Sequence, residues 1–153
     1  MPGAAALPFD IVAAVAPTSR APKREVLLLV RDLEARALSV ATTSAVACLQ
    51  DERFLTAWTR EVYRTLAARG ATVLMYARGL QAYVDQGVAG VGLDDDDPLG
   101  DQWTVLFEGE DPVCLAARDL QTTDEDDERS FEYAVTTDPE VVRQVAASLR
   151  AQA

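Results

Sequence analysis

The sequence predicts an α/β (α+β) single-domain sandwich, a central mixed sheet of about five to six strands with helices packed mainly on one face. Three observations predict it. The chain has 153 residues, 49% of them hydrophobic, which suffices for one core. Four segments carry apolar residues at helical spacing, and six short apolar runs read as strands. Their order is helices, then strand–helix–strand, then a run of strands, then a closing helix, a pattern that layers helices on a sheet.

Residues 1–6 read as a frayed start, followed by a short helix over 9–16 with Phe9, Val12, Ala13 and Ala16 on one side. Residues 17–22, PTSRAP, read as a linker. Residues 1–22 are therefore an N-terminal segment and linker, and 23–153 the domain proper. Pro22 suits the first turn of a helix over 23–38. Val26, Leu29, Val30, Leu33 and Ala37 keep its period, and Leu27 and Leu28 widen the stripe, which predicts a well-buried helix. Residues 44–49 read as a buried strand. Asp51 is placed to cap a helix over 51–69, Arg69 suits its negative end and Gly70 closes it. Phe54, Trp58, Val62 and Leu66 recur every four residues and predict its core-facing stripe.

Residues 71–77 form the next strand, 80–86 a loop or short helical turn, and 87–93 a Gly-rich edge strand. The last lacks the Lys and the following helix of a phosphate-cradling loop. Strands over 102–108 and 112–118, joined through Gly109, read as a β-hairpin. The acids of 124–128 read as a solvated loop, and 130–136, with Phe131, Tyr133 and Val135 on one face, as the last strand. Thr137 or Asp138 caps a final helix with Pro139 in its first turn. Val141, Val142, Val145 and Leu149 are its buried stripe.

The formal net charge of −11 opposes a stand-alone nucleic-acid binder, which needs a basic face, and opposes docking on anionic lipid. Residues 94–140 hold 17 of the 25 acidic side chains and only Arg118 and Arg129 as bases. That asymmetry suits either solvation or a basic partner protein. The two cysteines, Cys48 and Cys114, stand in apolar runs without a CxxC pair, and there is no histidine. Neither a disulfide framework nor a zinc site is expected, and inert core thiols in a reducing cytoplasm fit. The apolar start lacks a basic leader and is interrupted by Asp10, so a signal peptide is not expected, and no run is long enough to cross a bilayer.

The four consecutive acids Asp94, Asp95, Asp96 and Asp97 alternate sides in an extended segment and do not converge on one cation, so they read as a solvated turn and no metal site is expected. Without histidine, nucleophilic catalysis lacks its usual base, and no pair of carboxylates stands out, so the chain is expected not to be an enzyme. Gln50, Arg53, Asp119 and Thr136 are polar residues at predicted strand ends or a first helical turn, where open α/β sheets place ligand sites and where capping is the other use.

Several pieces together resemble a known family. They are KREVLLLVRDLEARAL from Lys23, ACLQDERF from Ala47, GVAGVGLDDDDPLGDQWTVLF from Gly87, LAARDL from Leu115 and FEYAVTTDPEVVRQVAASL from Phe131. In order and spacing they resemble the DICT family, a sensory domain named for diguanylate cyclases and two-component systems, over roughly residues 23–150. Asp97-Pro98-Leu99 followed by Trp103 is the most specific piece, and Gln102 departs from the acid usual before that tryptophan. The resemblance implies a non-enzymatic sensory or regulatory domain in signal transduction, with a proposed link to light response or transcriptional control. It would act through a bound small ligand or a partner protein, or dimerise through the strand 87–93 or the N-terminal helix. The alternative is an acidic adaptor that docks a basic regulator with no ligand. No particular cofactor is implied. Gln50, Arg53, Asp97, Trp103, Asp119 and Thr136 are the candidate ligand-binding residues.

Overall fold

The segment Thr42–Asp51 decides the architecture. Ala45, Ala47 and Leu49 point into one core, while Val46 and Cys48 point into another. Successive strand side chains alternate faces, so a strand apolar on both must be covered on both. The computed structural model, which describes residues 6–123 and 125–153, bears this out.

The elements run α1 (Pro8–Ala13), β1 (Ser19–Pro22), α2 (Lys23–Ser39), β2 (Thr42–Asp51), α3 (Ala57–Ala68), β3 (Thr72–Arg78), β4 (Tyr83–Asp85), β5 (Val88–Leu93), β6 (Gln102–Gly109), β7 (Val113–Asp119), β8 (Ser130–Thr136) and α4 (Pro139–Arg150). The strands form one eight-stranded mixed sheet in the order β1-β8-β7-β6-β2-β3-β5-β4. The β2, β3 and β5 strands are parallel, and every other pairing is antiparallel.

The α+β class holds, but the sheet is larger than the expected five to six strands and the helices are not mainly on one face. Val26, Val30 and Ala37 of α2 and Val62, Tyr63 and Leu66 of α3 cover one face. Phe9, Ile11 and Val12 of α1 and Val142, Val145 and Leu149 of α4 cover the other. Periodicity shows that a helix has an apolar stripe, not which side of the sheet it meets.

Both extra strands lie in segments expected to be irregular. The supposed linker contributes β1, whose Ala21 is opposite Phe131, with Pro22 on the outer edge where a missing N–H costs nothing. The supposed turn contributes β4, so β5 is paired on both sides and is not the expected edge. Gly90 permits this, because a Cβ there would stand 2.1 Å from the Gln81 carbonyl oxygen.

Two helical stripes also differ from expectation. Helix α3 starts late: Thr56 accepts from the Thr59 N–H at 3.2 Å and caps it, while Asp51 caps a 3-10 turn over Glu52–Phe54. Its buried residues are Val62, Tyr63 and Leu66, and Trp58 is 52% exposed. On α2 the buried row is Val26, Val30, Glu34 and Ala37, which leaves Leu28 66% exposed and Leu29 partly so. The acidic loop is only partly solvent-facing. Asp124 and residues 1–5 lie outside the described residues, but Asp126 turns inward to pair with Lys23 and Arg129. Among the described residues no helix is long and apolar enough to cross a membrane.

Candidate ligand site

The alternation of strand directions points the C-terminal ends of β1, β2, β3, β5 and β7 the same way. Ligand sites of open α/β sheets lie beyond such ends. Here Gln50 leaves the sheet in a left-handed conformation (φ 72°), at an irregularity of the β2–β3 register between Cys48 and Asp51. A residue other than glycine in this region is held there by its surroundings at a cost of order 1–3 kcal/mol. The holder is Arg129, whose Nη1 donates to Gln50 Oε1 at 2.8 Å.

Arg129 is the hub of this end of the sheet. The same Nη1 donates to Asp119 Oδ2 at 2.8 Å, and Nη2 forms an ion pair with Asp126 at 2.7 Å. Its guanidinium lies 5.1 Å from the ring centroids of both Phe54 and Phe131. Its side chain is only 11% exposed, so the charge is nearly desolvated and needs both carboxylates. Lys23, paired with Asp126, and Arg53 also approach the Phe54 ring, at 4.7 and 4.8 Å. Three cations therefore approach one aromatic ring. Trp103 packs edge-on against Phe131 with centroids 5.2 Å apart.

These residues line a partly open cavity of about 130 Å³ between α2, the Glu52–Phe54 turn and the sheet. Leu27, Val30, Leu49 and Trp103 give it apolar walls, and Gln50 and Glu34 give it buried polar groups. A wider polar recess of about 380 Å³ adjoins it, sharing Gln50, Arg53, Phe54 and Arg129 and adding Arg78, Asp101 and Asp119.

Glu34 is 2% exposed. Loss of water raises its carboxyl to about 7, against the opposing effect of the nearby Tyr63 hydroxyl, Arg31 and Trp58. The Tyr63 hydroxyl, also buried, makes no bond of full hydrogen-bond geometry, and its own proton is held well above the ordinary phenol range, mainly by burial.

The structure brings four of the six candidates together. Gln50, Arg53 and Trp103 line the smaller cavity, and Asp119 lines the recess while holding Arg129. Asp97 lines neither; it caps the Pro98–Asp101 turn, accepting from the Leu99 N–H at 2.9 Å. Thr136 is at the opposite end of the sheet, across from Cys114, and its hydroxyl accepts from the Asp138 N–H at 3.2 Å. A strand has two ends, and Thr136 closes a strand that runs away from the cavity. The variant position Gln102 is buried and anchors α1, its Oε1 accepting from the Phe9 N–H at 3.0 Å.

Lys23, Glu34, Phe54 and Arg129 were missed. Glu34 was legible: it stands on the row Val26, Val30, Glu34, Ala37, and an acid on an apolar helical row is a buried polar group to be explained. Arg129 was one of only two bases in the acidic stretch. Phe54 keeps the four-residue period of Trp58, Val62 and Leu66, but it belongs to the 3-10 turn that precedes the Thr56 cap of α3. Cys48 and Cys114 are both buried, and burial pushes the Cys114 thiol up to about 12 and Cys48 higher still, as inert core thiols behave. Among the described residues no three His, Cys, Asp or Glu side chains gather as a metal set.

No protein-family model matches the chain, and no curated protein matches it. Solved structures do. TrmBL2, an archaeal chromatin protein whose structure shows a novel mode of DNA binding, is similar over 94% of this chain and 57% of its own, with a TM-score of 0.57 and 12% identity. Polyphosphate kinase from Porphyromonas gingivalis is similar over 94% of this chain and 26% of its own, with a TM-score of 0.57 and 15% identity. The chain thus spans just over half of one and about a quarter of the other. At such identities the likeness is of fold alone.

Proposed function

We propose that the protein is a non-enzymatic sensory or regulatory domain that binds a small molecule in the cavity beside α2 and signals through a partner protein. The observation that carries this reading is the cavity itself: apolar walls of Leu27, Val30, Leu49 and Trp103, with cations gathered over Phe54 at its mouth. Apolar walls with a few convergent polar groups are the usual form of a ligand site. The DICT resemblance points the same way. Ligand binding here would reach the sheet through Gln50 and the acidic loop through Arg129, because both line the cavity and are bonded to each other. Native mass spectrometry and an absorption spectrum of protein purified from its own cells test the reading. A bound mass released by denaturation supports it. A clean mass together with no stabilisation by any compound of a metabolite library counts against it.

A second reading is an acidic adaptor for a basic partner. Asp94, Asp95 and Asp96 are exposed, as are Glu125, Asp127 and Glu128, and none of the six forms an ion pair among the described residues. Neutralising Glu125, Asp127 and Glu128 should then weaken partner pull-down and its salt dependence. Unchanged capture would leave the ligand reading alone.

A further inference from the structure

We infer that the cavity beside α2 takes a small organic anion with an apolar body, and takes it up together with one proton carried on Glu34. This rests on the reading of the cavity as a ligand site. The size follows from volume: at about 10–15 Å³ per water-sized site, 130 Å³ suits on the order of ten non-hydrogen atoms. The charge follows from the lining. Arg31 and Arg53 line the cavity and form no ion pair among the described residues, whereas Lys23 and Arg129 are already held by Asp126 and Asp119. Two exposed guanidinium groups without an ion-pair partner favour an anion, and the walls of Leu27, Val30, Leu49 and Trp103 favour an apolar body.

Among the described residues Glu34 is the only acid in that lining. An anion repels an ionised Glu34 in the same cavity, where Glu34 is 2% exposed and little screened, whereas a protonated Glu34 is neutral and offers a donor. The charged and titratable groups around Glu34 are Lys23 and Arg31 on its own helix, Tyr63 on α3, and Arg53 and Arg129 elsewhere in the cavity lining. The Tyr63 proton is held well above the ordinary phenol range, mainly by burial, and the chain has no histidine. Glu34, raised to about 7, is therefore the side chain placed to couple this site to physiological pH.

Benzenesulfonate is the probe, because its charge is fixed over the range and it has about ten non-hydrogen atoms. If only the protonated form binds, the apparent affinity scales with the protonated fraction, which falls about 30-fold between pH 6 and pH 8.5 for a carboxyl near 7. Calorimetric titration should show that loss. At pH 8, runs in two buffers of different ionisation enthalpy should report close to one proton taken up per ligand. Glu34→Gln, nearly isosteric and checked for folding by circular dichroism, should bind with no pH slope. Equal affinity at both pH values, or the same slope in Glu34→Gln, overturns the proton coupling and leaves the cavity reading standing. Binding of neutral benzenesulfonamide in preference to the sulfonate overturns the anionic class. Binding of neither probe at either pH overturns this proposal; whether the cavity holds some other ligand is then decided separately by native mass spectrometry of the purified protein.

Discussion

Replacing Glu34 with Gln should stabilise the protein, and by an amount that depends on pH. The carboxyl is raised from 4.5 to about 7 in the folded chain, chiefly by burial. Below the unfolded value both states hold the proton, and the residue contributes no pH dependence. As pH rises from about 4.5 to 7 the unfolded chain releases the proton and the folded chain retains it, so the folded state loses stability across that window. Above about 7 the loss is complete. At 1.36 kcal/mol per pH unit, a shift of this size amounts to about 3 kcal/mol. Glutamine has no such proton, so the gain from Glu34→Gln should be near zero at pH 4.5 and approach about 3 kcal/mol at pH 8. For a chain of this size that corresponds to a Tm rise of about 6–12 °C. Asp126 and Glu132, both lowered by their basic partners, act with the opposite sign and only as pH falls through the acid range, so they do not overlap this window. Urea unfolding followed by circular dichroism at four pH values between 5 and 8 reads the difference directly. A gain independent of pH, or a variant less stable than the parent at pH 8, would refute the reasoning.

Other substitutions probe the rest of the site. Arg129→Met leaves Asp119 buried without its partner and frees Gln50, and should cost about 3–5 kcal/mol in denaturant unfolding, more than Arg53→Met, whose exposed side chain holds no carboxylate. Phe54→Ala removes the ring beneath three cations and should weaken ligand retention more than it weakens folding, read by native mass spectrometry beside a Tm. Gly90→Ala should cost about 1–3 kcal/mol and release β4, seen as faster hydrogen exchange at residues 83–85, because the added methyl meets the Gln81 carbonyl. Cys48 and Cys114 should resist a thiol reagent at pH 8 until the protein unfolds, and prompt labelling of either would contradict their core placement.

The helical stripe of α4, the hairpin β6–β7, the cap at Asp138 and Pro139 in the first turn were legible because each is set by residues close in sequence. What was not legible depends on partners far along the chain. Ser19–Pro22 is a strand only because Ser130–Tyr133 lies beside it, and Tyr83–Asp85 only because Gly90 lets it approach. The same limit applied to the site. Gln50 and Asp119 were marked as strand ends, but Arg129, 79 residues from Gln50, is what joins them. Thr136 met the same local criterion and sits at the other end of the sheet.

The most direct test of the account is a pair of amide spectra. The protein as purified from its own cells is compared by ¹H–¹⁵N NMR with the same sample after denaturation, dialysis and refolding, which strips a bound small molecule. The account predicts differences concentrated at Glu34, residues 50–54, Trp103 and Arg129, reversed when the released material is added back. Spectra that superimpose, or that differ only at the exposed acids 94–96 and 125–128, would contradict a ligand in this cavity.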